Sequence, residues 1–454
     1  MFRRDFIKKS IAGSAGLALV SSFTSPLSGE VRRANDRIVL ALIGTGGRGM
    51  ETIVGCCKNN ENVIVKTVCD VNSSKLSKAV AAIEKEFGYR PARTANMKEI
   101  FDDKDVDAVW ISTPEHWHAL ATVWACQAGK DVYVEKNPTV NIWEGRKMVE
   151  AANKYNRIVQ VGFQNRSAPY GFSAREYIQN GKLGKIVTVK CYNMLGGGKW
   201  TEPPEAPVPA WLDWDKWQGP APARKYNPGV VTENGRGDWG CYWAYSGGGL
   251  ADDASHVIDL ARLVIGDPPH PKSVYGWGGN HIFDGKRETP EYQSIMYDFG
   301  NFTLSCDNAY ATNYMTKTPN NIRMDKSLFP NWRNNATRTE IYGTQGMMYL
   351  GRHGGGWQVL GPNNEIVAQD GGMFPDKEHQ IDFIQALRTR KKPNGDVEEC
   401  HRSATLIHLG NIAYRVGNKQ LLFDSQTEKI LNDENANILA RGAYRPGYVI
   451  PESV

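Results

Sequence analysis

Three short stretches carry the residue types that proton transfer at a hydroxyl group needs. The first is Tyr133-Val134-Glu135-Lys136-Asn137-Pro138, where a lysine directly follows an apolar run. Such runs end at the top of a parallel strand, where α/β proteins keep their ligands, so Lys136 is either a catalytic cation or a polar residue that closes a strand. The second lies within 247–266, where Asp252 and His256 stand four apart and Asp259 follows three further on. On a helix these residues share a face. A carboxylate beside an imidazole fixes its tautomer and raises its basicity, which suits a general base acting on a hydroxyl. The same spacing could serve a metal, but no third and fourth ligands cluster beside it, so no metal site is expected. The third is Ser112–His118, in which Thr113-Pro114 ends a strand. His118 opens the next helix, either reaching toward a cofactor or capping that helix.

These residues need a frame, and the glycine pattern supplies one. Gly44-Thr45-Gly46-Gly47-Arg48-Gly49 follows the apolar run 37–43 and opens a helix-like stretch to Lys58. An acidic residue, Asp70, closes the second apolar run 21 residues after Gly49. In that context GxGxxG predicts a dinucleotide site: Gly44 for the tight turn, Gly46 for approach of the pyrophosphate, and Gly49 for packing of helix on strand. Free N–H groups at the helix start face the phosphates. Asp70 would accept from the adenosine ribose hydroxyls and repel a 2′-phosphate, favouring NAD over NADP. Further strands over 107–114, 131–136 and 158–163 alternate with helices near 76–88, 116–129 and 140–155. The pattern predicts a doubly wound parallel sheet, a Rossmann domain over 36–160.

After about residue 163 the texture changes. A helix-like segment 168–181 and a strand 185–193 lead into a Pro/Trp-rich stretch from 195 to 245, too long for a connector and expected to be a lid or a packed irregular surface. Alternating strands then predict an α+β domain over 161–454 with a large, mostly antiparallel open sheet. Tyr170, Trp211, Trp214 and Trp243 are expected either to stack against substrate rings or to pack in the core.

Composition narrows the function classes. The net charge of +5 includes Arg3, Arg4, Lys8 and Lys9, and no later basic tract is interleaved with aromatics, so no nucleic-acid partner is expected. Eight cysteines without CxxC spacing argue against a disulfide framework or a structural zinc. Residues 1–30 place adjacent arginines before a short apolar run. This resembles a twin-arginine export signal and predicts a periplasmic protein, touching membrane only through that segment, cleaved or as an anchor.

In combination, the glycine fingerprint, Thr113-Pro114 with His118, Glu135-Lys136, Val161-Gly162-Phe163-Gln164-Asn165-Arg166 and Asp252-x-x-x-His256 resemble the Gfo/Idh/MocA oxidoreductases. The resemblance covers roughly 36–425. The family's Glu-Lys-Pro reads Glu135-Lys136-Asn137-Pro138 here, with the proline one position late. The resemblance implies NAD held by Gly44, Gly46, Gly47, Arg48, Gly49, Asp70, Thr113, Pro114, His118, Glu135, Lys136 and Gln164. It implies catalysis by Lys136, Asp252 and His256 on a ring hydroxyl of a sugar, glycoside or cyclitol, and homodimers or homotetramers through the large sheet. His256, oriented by Asp252, would take the hydroxyl proton. Lys136, its pKa lowered by burial and by the cationic nicotinamide, would stabilise the oxygen. Arg166, Tyr170, Trp243 and Asp259 are the expected substrate contacts. Similar NAD-dependent glycosidases lack the lysine, so Lys136 favours a net dehydrogenase without excluding a glycoside substrate. A non-catalytic sugar- or nucleotide-binding protein is the alternative from another class. An exported dehydrogenase would have to carry its cofactor tightly bound, because the periplasm maintains no NAD pool.

Overall fold

A computed structural model describes residues 37–454, and the predicted export signal lies outside the described residues. The first sheet has six parallel strands: β1 (Ile38–Ile43), β2 (Val63–Cys69), β3 (Ala92–Thr94), β4 (Ala108–Ile111), β5 (Asp131–Val134) and β6 (Val159–Val161), in the order β3-β2-β1-β4-β5-β6. The central strands β1, β4 and β5 are apolar on both faces because helices cover both. Local chemistry sets the helix ends. Asn72 accepts from the Lys75 amide at 3.0 Å to start the helix Ser73–Phe87, and Gly88 ends it at φ 74°. Asn141 caps the helix Ile142–Lys154 in the same way.

One cover of this sheet comes from far along the chain. Phe383, Ile384 and Leu387 of the helix Asp376–Thr389 share a core with Leu40, Val65, Trp110 and Tyr133, so the unit expected over 36–160 does not bury its own sheet unaided. Ile450 and Val454 fill a second apolar cluster with β4 and β5.

The second sheet has ten strands: β7 (Ile186–Met194), β8 (Ser273–Gly279), β9 (Tyr292–Asp298), β10 (Thr303–Ala309), β11 (Arg338–Gly343), β12 (Met347–Gly351), β13 (Trp357–Leu360), β14 (Ile366–Asp370), β15 (Gln420–Asp424) and β16 (Lys429–Ile430). Their order is β14-β13-β12-β11-β7-β10-β9-β8-β15-β16, antiparallel throughout except for the β7–β10 pair. The helices Asp253–Val264 and Val397–Arg415 cover one face with Val257, Leu260, Leu406 and Leu409.

The Pro/Trp-rich stretch is a packed irregular surface. Leu212, Trp214, Trp217, Tyr226 and Tyr245 form a separate apolar cluster. It is tied to the first domain where the Trp211 carbonyl accepts from the Ser73 amide at 2.9 Å and the Glu233 carbonyl from Asn72 Nδ2 at 3.0 Å.

Candidate active site

A cleft of about 1320 Å³ opens between the carboxyl ends of the parallel strands and the second domain. At one end is the glycine turn. Gly44 has φ 93°, and a Cβ there would stand 2.6 Å from the Ser112 carbonyl. A Cβ on Gly49 would stand 2.3 Å from the Gly44 oxygen, so helix and strand meet at van der Waals contact. Gly46 and Gly47 face the open cleft, with nothing within 4 Å of a Cβ. Buried polar atoms without a protein partner among the described residues lie along the same strand ends: Ser112 Oγ, Thr113 Oγ1 and Gln164 Oε1. Room at Gly46 and Gly47, free amides at a helix start and unmatched polar atoms beyond them fit a bound dinucleotide.

Other residues expected at the cofactor are held by protein partners. Asp70 lines the cleft, with Oδ2 accepting from the Thr45 amide and hydroxyl, both at 2.8 Å, and Oδ1 from the Asn72 amide at 2.9 Å. Arg48 is taken up by Glu135 at 3.3 Å and by Asp376 at 2.9 Å, so it ties the glycine turn to the second domain's helix. Burial works against the Arg48 charge, but Glu135 and Asp376 outweigh it and raise its pKa. Burial also pushes the Glu135 carboxyl up. His118 does not line the cleft. Its ring nitrogens lie 2.7 Å from the Asn137 and Thr113 carbonyls, so it fastens the strand-end turn from behind, and burial lowers it to about 4. That turn includes a cis Lys136–Asn137 peptide, and Asn137, whose Nδ2 donates to the Thr139 carbonyl, is fully buried.

Lys136 projects from the end of β5 into the cleft, 16% exposed, and its Nζ lies 2.5 Å from Asp252 Oδ1. Arg236 approaches the other Asp252 oxygen at 3.3 Å. The expected Asp252–His256 pair is not formed. Residues 247–266 make two helices, Gly248–Ala251 and Asp253–Val264, and Asp252 sits in the break at φ −77° and ψ −110°. Off the helix face, its carboxylate turns to the ammonium. Burial alone would raise the Asp252 pKa, yet Lys136 and Arg236 hold it well below the usual carboxylate range. His256 also lines the cleft, edge-on to Phe163, and its Nδ1 is buried without a partner among the described residues. Burial, then the Arg352 and Lys136 charges, hold its pKa well below the ordinary value, so the ring is neutral.

The four expected substrate contacts lie elsewhere. Arg166 and Asp259 form an ion pair at 2.7 Å inside the second domain, 2% and 0% exposed. Two helical residues facing inward with opposite charge satisfy each other. Tyr170 is buried, its hydroxyl bonded to the Gly351 carbonyl and to Asn165. Trp243 packs against Arg415 away from the cleft, and Trp214 stacks on Trp217 behind the wall. The indoles that do reach the cleft are Trp117, Trp124, Trp217 and Trp239.

Several wall residues carried no spacing signal in the sequence. Glu115, 2% exposed, accepts from the Gly247 amide at 3.3 Å, and burial pushes it up to about 7 against the pull of Lys136. Asp253 pairs with Lys317, and Arg352 and His353 stand at 3.9 and 4.0 Å from its other oxygen. Among the described residues no group of three His, Cys, Asp or Glu is placed to hold a metal.

The chain matches the Gfo/Idh/MocA models "Oxidoreductase family, NAD-binding Rossmann fold" over residues 38–163 and "Oxidoreductase family, C-terminal alpha/beta domain" over 176–275 and 336–450. A levoglucosan dehydrogenase of Pseudarthrobacter phenanthrenivorans is 26% identical over 202 residues, 44% of this chain and 43% of that protein. A glycosyl hydrolase family 109 protein of Shewanella baltica is 28% identical over 170 residues, 34% of this chain and 37% of that protein. The chain thus spans less than half the length of these curated relatives. The WlbA dehydrogenase of Bordetella pertussis, crystallised with NADH and UDP-GlcNAcA, shares the fold at TM-score 0.59 and 18% identity, over 86% of this chain and 99% of that one. With both domains matched over most of its length and an NAD-binding Rossmann domain at its start, the chain belongs to the Gfo/Idh/MocA oxidoreductase family.

Proposed function

We propose that the protein is an NAD-dependent oxidoreductase acting on a secondary ring hydroxyl of a sugar, glycoside or cyclitol. The observation that carries this reading is the convergence of Lys136 and neutral His256 in one cleft with an open glycine turn. Gly46, Gly47, Ser112, Thr113 and Gln164 are the residues that would hold NAD, and Asp70 the one beside its ribose. The bound dinucleotide supplies a hydride acceptor. The protein's own groups handle the proton. His256 is uncharged and can accept the hydroxyl proton at an imidazole nitrogen. The Lys136 ammonium donates to the same oxygen as charge develops there, in surroundings that strengthen the interaction. Asp252 holds the Lys136 Nζ in place rather than orienting the imidazole. The kinship with a levoglucosan dehydrogenase supports a carbohydrate substrate.

The glycosyl hydrolase family 109 relative favours one second reading, redox-neutral glycoside cleavage through transient ring oxidation. Nitrophenyl glycosides separate the two: a net dehydrogenase accumulates reduced nucleotide without releasing nitrophenol, and a glycosidase does the reverse.

The basic, apolar N-terminus supports folded export with NAD tightly bound. Protein purified from the periplasm should release nucleotide on denaturation, and the absence of nucleotide there would sink this part of the proposal. Exposed Tyr275, Trp277 and Met296 on β8 and β9 support self-association through the large sheet.

A further inference from the structure

We propose that the sugar received by this cleft carries an acidic substituent, a carboxylate or a phosphate, bound by Arg352; the proposal rests on the oxidoreductase reading above. Arg352 directly follows β12, lines the cleft and is 4% exposed. Its Nε and Nη1 are buried with no hydrogen-bond partner among the described residues. The nearest carboxylate oxygen to Nη2 is Asp253 Oδ1 at 3.9 Å, beyond hydrogen-bond reach. That carboxylate is already engaged by Lys317 and lies 4.0 Å from His353. The Phe374 ring packs against the guanidinium at 5.0 Å. A buried guanidinium with two nitrogens lacking an acceptor is costly, and beside an open cleft a ligand, an ion or ordered water completes it.

The charge around Arg352 points the same way. The second domain contributes Arg236, Lys317, Arg323 and Arg352 to the wall against Asp252 and Asp253. Asp252 is also the partner of Lys136. Arg323 spends its Nε on the Thr318 carbonyl and has no carboxylate within salt-bridge distance among the described residues. A neutral sugar would satisfy donors but leave this excess of positive charge uncompensated. An anion removes it, and its hydrogen bonds to a guanidinium are roughly twice as strong as neutral ones. Arg352 also exerts the largest single charge effect on His256. An anion seated on Arg352 would therefore raise the proton affinity of the ring that must accept the hydroxyl proton, coupling recognition to the chemical step.

The test is calorimetric titration of the NADH-loaded protein with methyl glucuronide and methyl galacturonide, their neutral methyl glycosides, and the matching sugar phosphates. One acidic series, carboxylate or phosphate, should bind at least about tenfold tighter than its neutral counterparts, and which series does so identifies the anion. Arg352→Gln should reduce the preference to about twofold or less with NADH affinity unchanged, while Arg352→Lys keeps part of it. Acidic members that bind no better than neutral ones, or a preference that survives Arg352→Gln, overturn the proposal. The two readings fail separately. Turnover of neutral sugars by the NAD-loaded protein without acid preference refutes only the anion site, and tight acid binding to the NADH-loaded protein with no NAD reduction when the same sugars meet the NAD-loaded protein refutes only the oxidoreductase reading.

Discussion

At the scale of single residues, the groups proposed to react divide by how they are positioned. Lys136 could be read from the sequence because an apolar run ending in a charged residue marks a strand's carboxyl end. The cleft position of His256 could be read from the sequence, but its partner could not, because a break of one residue moved Asp252 off the shared face. Arg352 and Asp253 carried no signal, since a lone arginine after a strand has no spacing that marks it. Lys136→Met should lower kcat by about 10²–10³-fold while NAD affinity stays unchanged, as expected for a donor that acts in the transition state. Steady-state kinetics beside nucleotide titration check this, and a purely KM effect would contradict it. Arg166→Leu tests the corrected placement. It strands Asp259 in the core and should cost about 3–5 kcal/mol of stability by urea unfolding. A loss of substrate affinity at unchanged stability would instead return Arg166 to the substrate site.

Among the elements, the parallel strands were legible because a strand buried on both faces is apolar throughout. The edge strands β14 and β16 were not, because short and largely exposed segments lack that run. The helix break at Asp252 had one readable warning, the three glycines 247–249, where a positive φ at Gly248 lets the chain turn beneath Thr289. The glycine turn yields a paired prediction. Gly49→Ala brings a Cβ within 2.3 Å of backbone and should destabilise the fold by about 1–3 kcal/mol, with NAD binding lost alongside. Gly46→Ala meets nothing within 4 Å among the described residues, so it should leave the melting temperature of the nucleotide-free protein unchanged while weakening NAD at least about tenfold by titration. Equal NAD affinity in Gly46→Ala would mean that the pyrophosphate does not pass there.

For the whole molecule, the two-domain class was visible in the change of patterning near residue 160. The cross-cover by the helix Asp376–Thr389 was not, because nothing local tells an apolar helix face which sheet it will meet. The same burial shapes the response to acid. Burial lowers His116, His270 and His408 to about 3 and His118 and His379 to about 4. Below about pH 6.5 the unfolded chain therefore binds protons that the native state refuses, and stability falls as pH falls. Glu115 and Glu144, pushed up to about 7 by burial, and Asp382, pushed up to about 6, act in the opposite sense and offset part of this. Burial also lowers His256 and His353 and raises Glu135, Asp259 and Asp396. With seven histidines against six carboxyls, urea unfolding should show a free energy rising from about pH 5 to about pH 6.5, by roughly 1.4 kcal/mol per pH unit for each net proton. A flat or falling profile there would contradict the buried, neutral histidines. The proposed function requires hydride to leave a ring carbon in this cleft. Mass spectrometry of a sugar incubated with the NAD-loaded protein, read beside nicotinamide absorbance, tests it most directly. The expected product is lighter by two hydrogens and forms in step with reduced nucleotide, and both are lost in Lys136→Met. Aglycone release with no reduced nucleotide, or an unchanged sugar beside bound NAD, would contradict it.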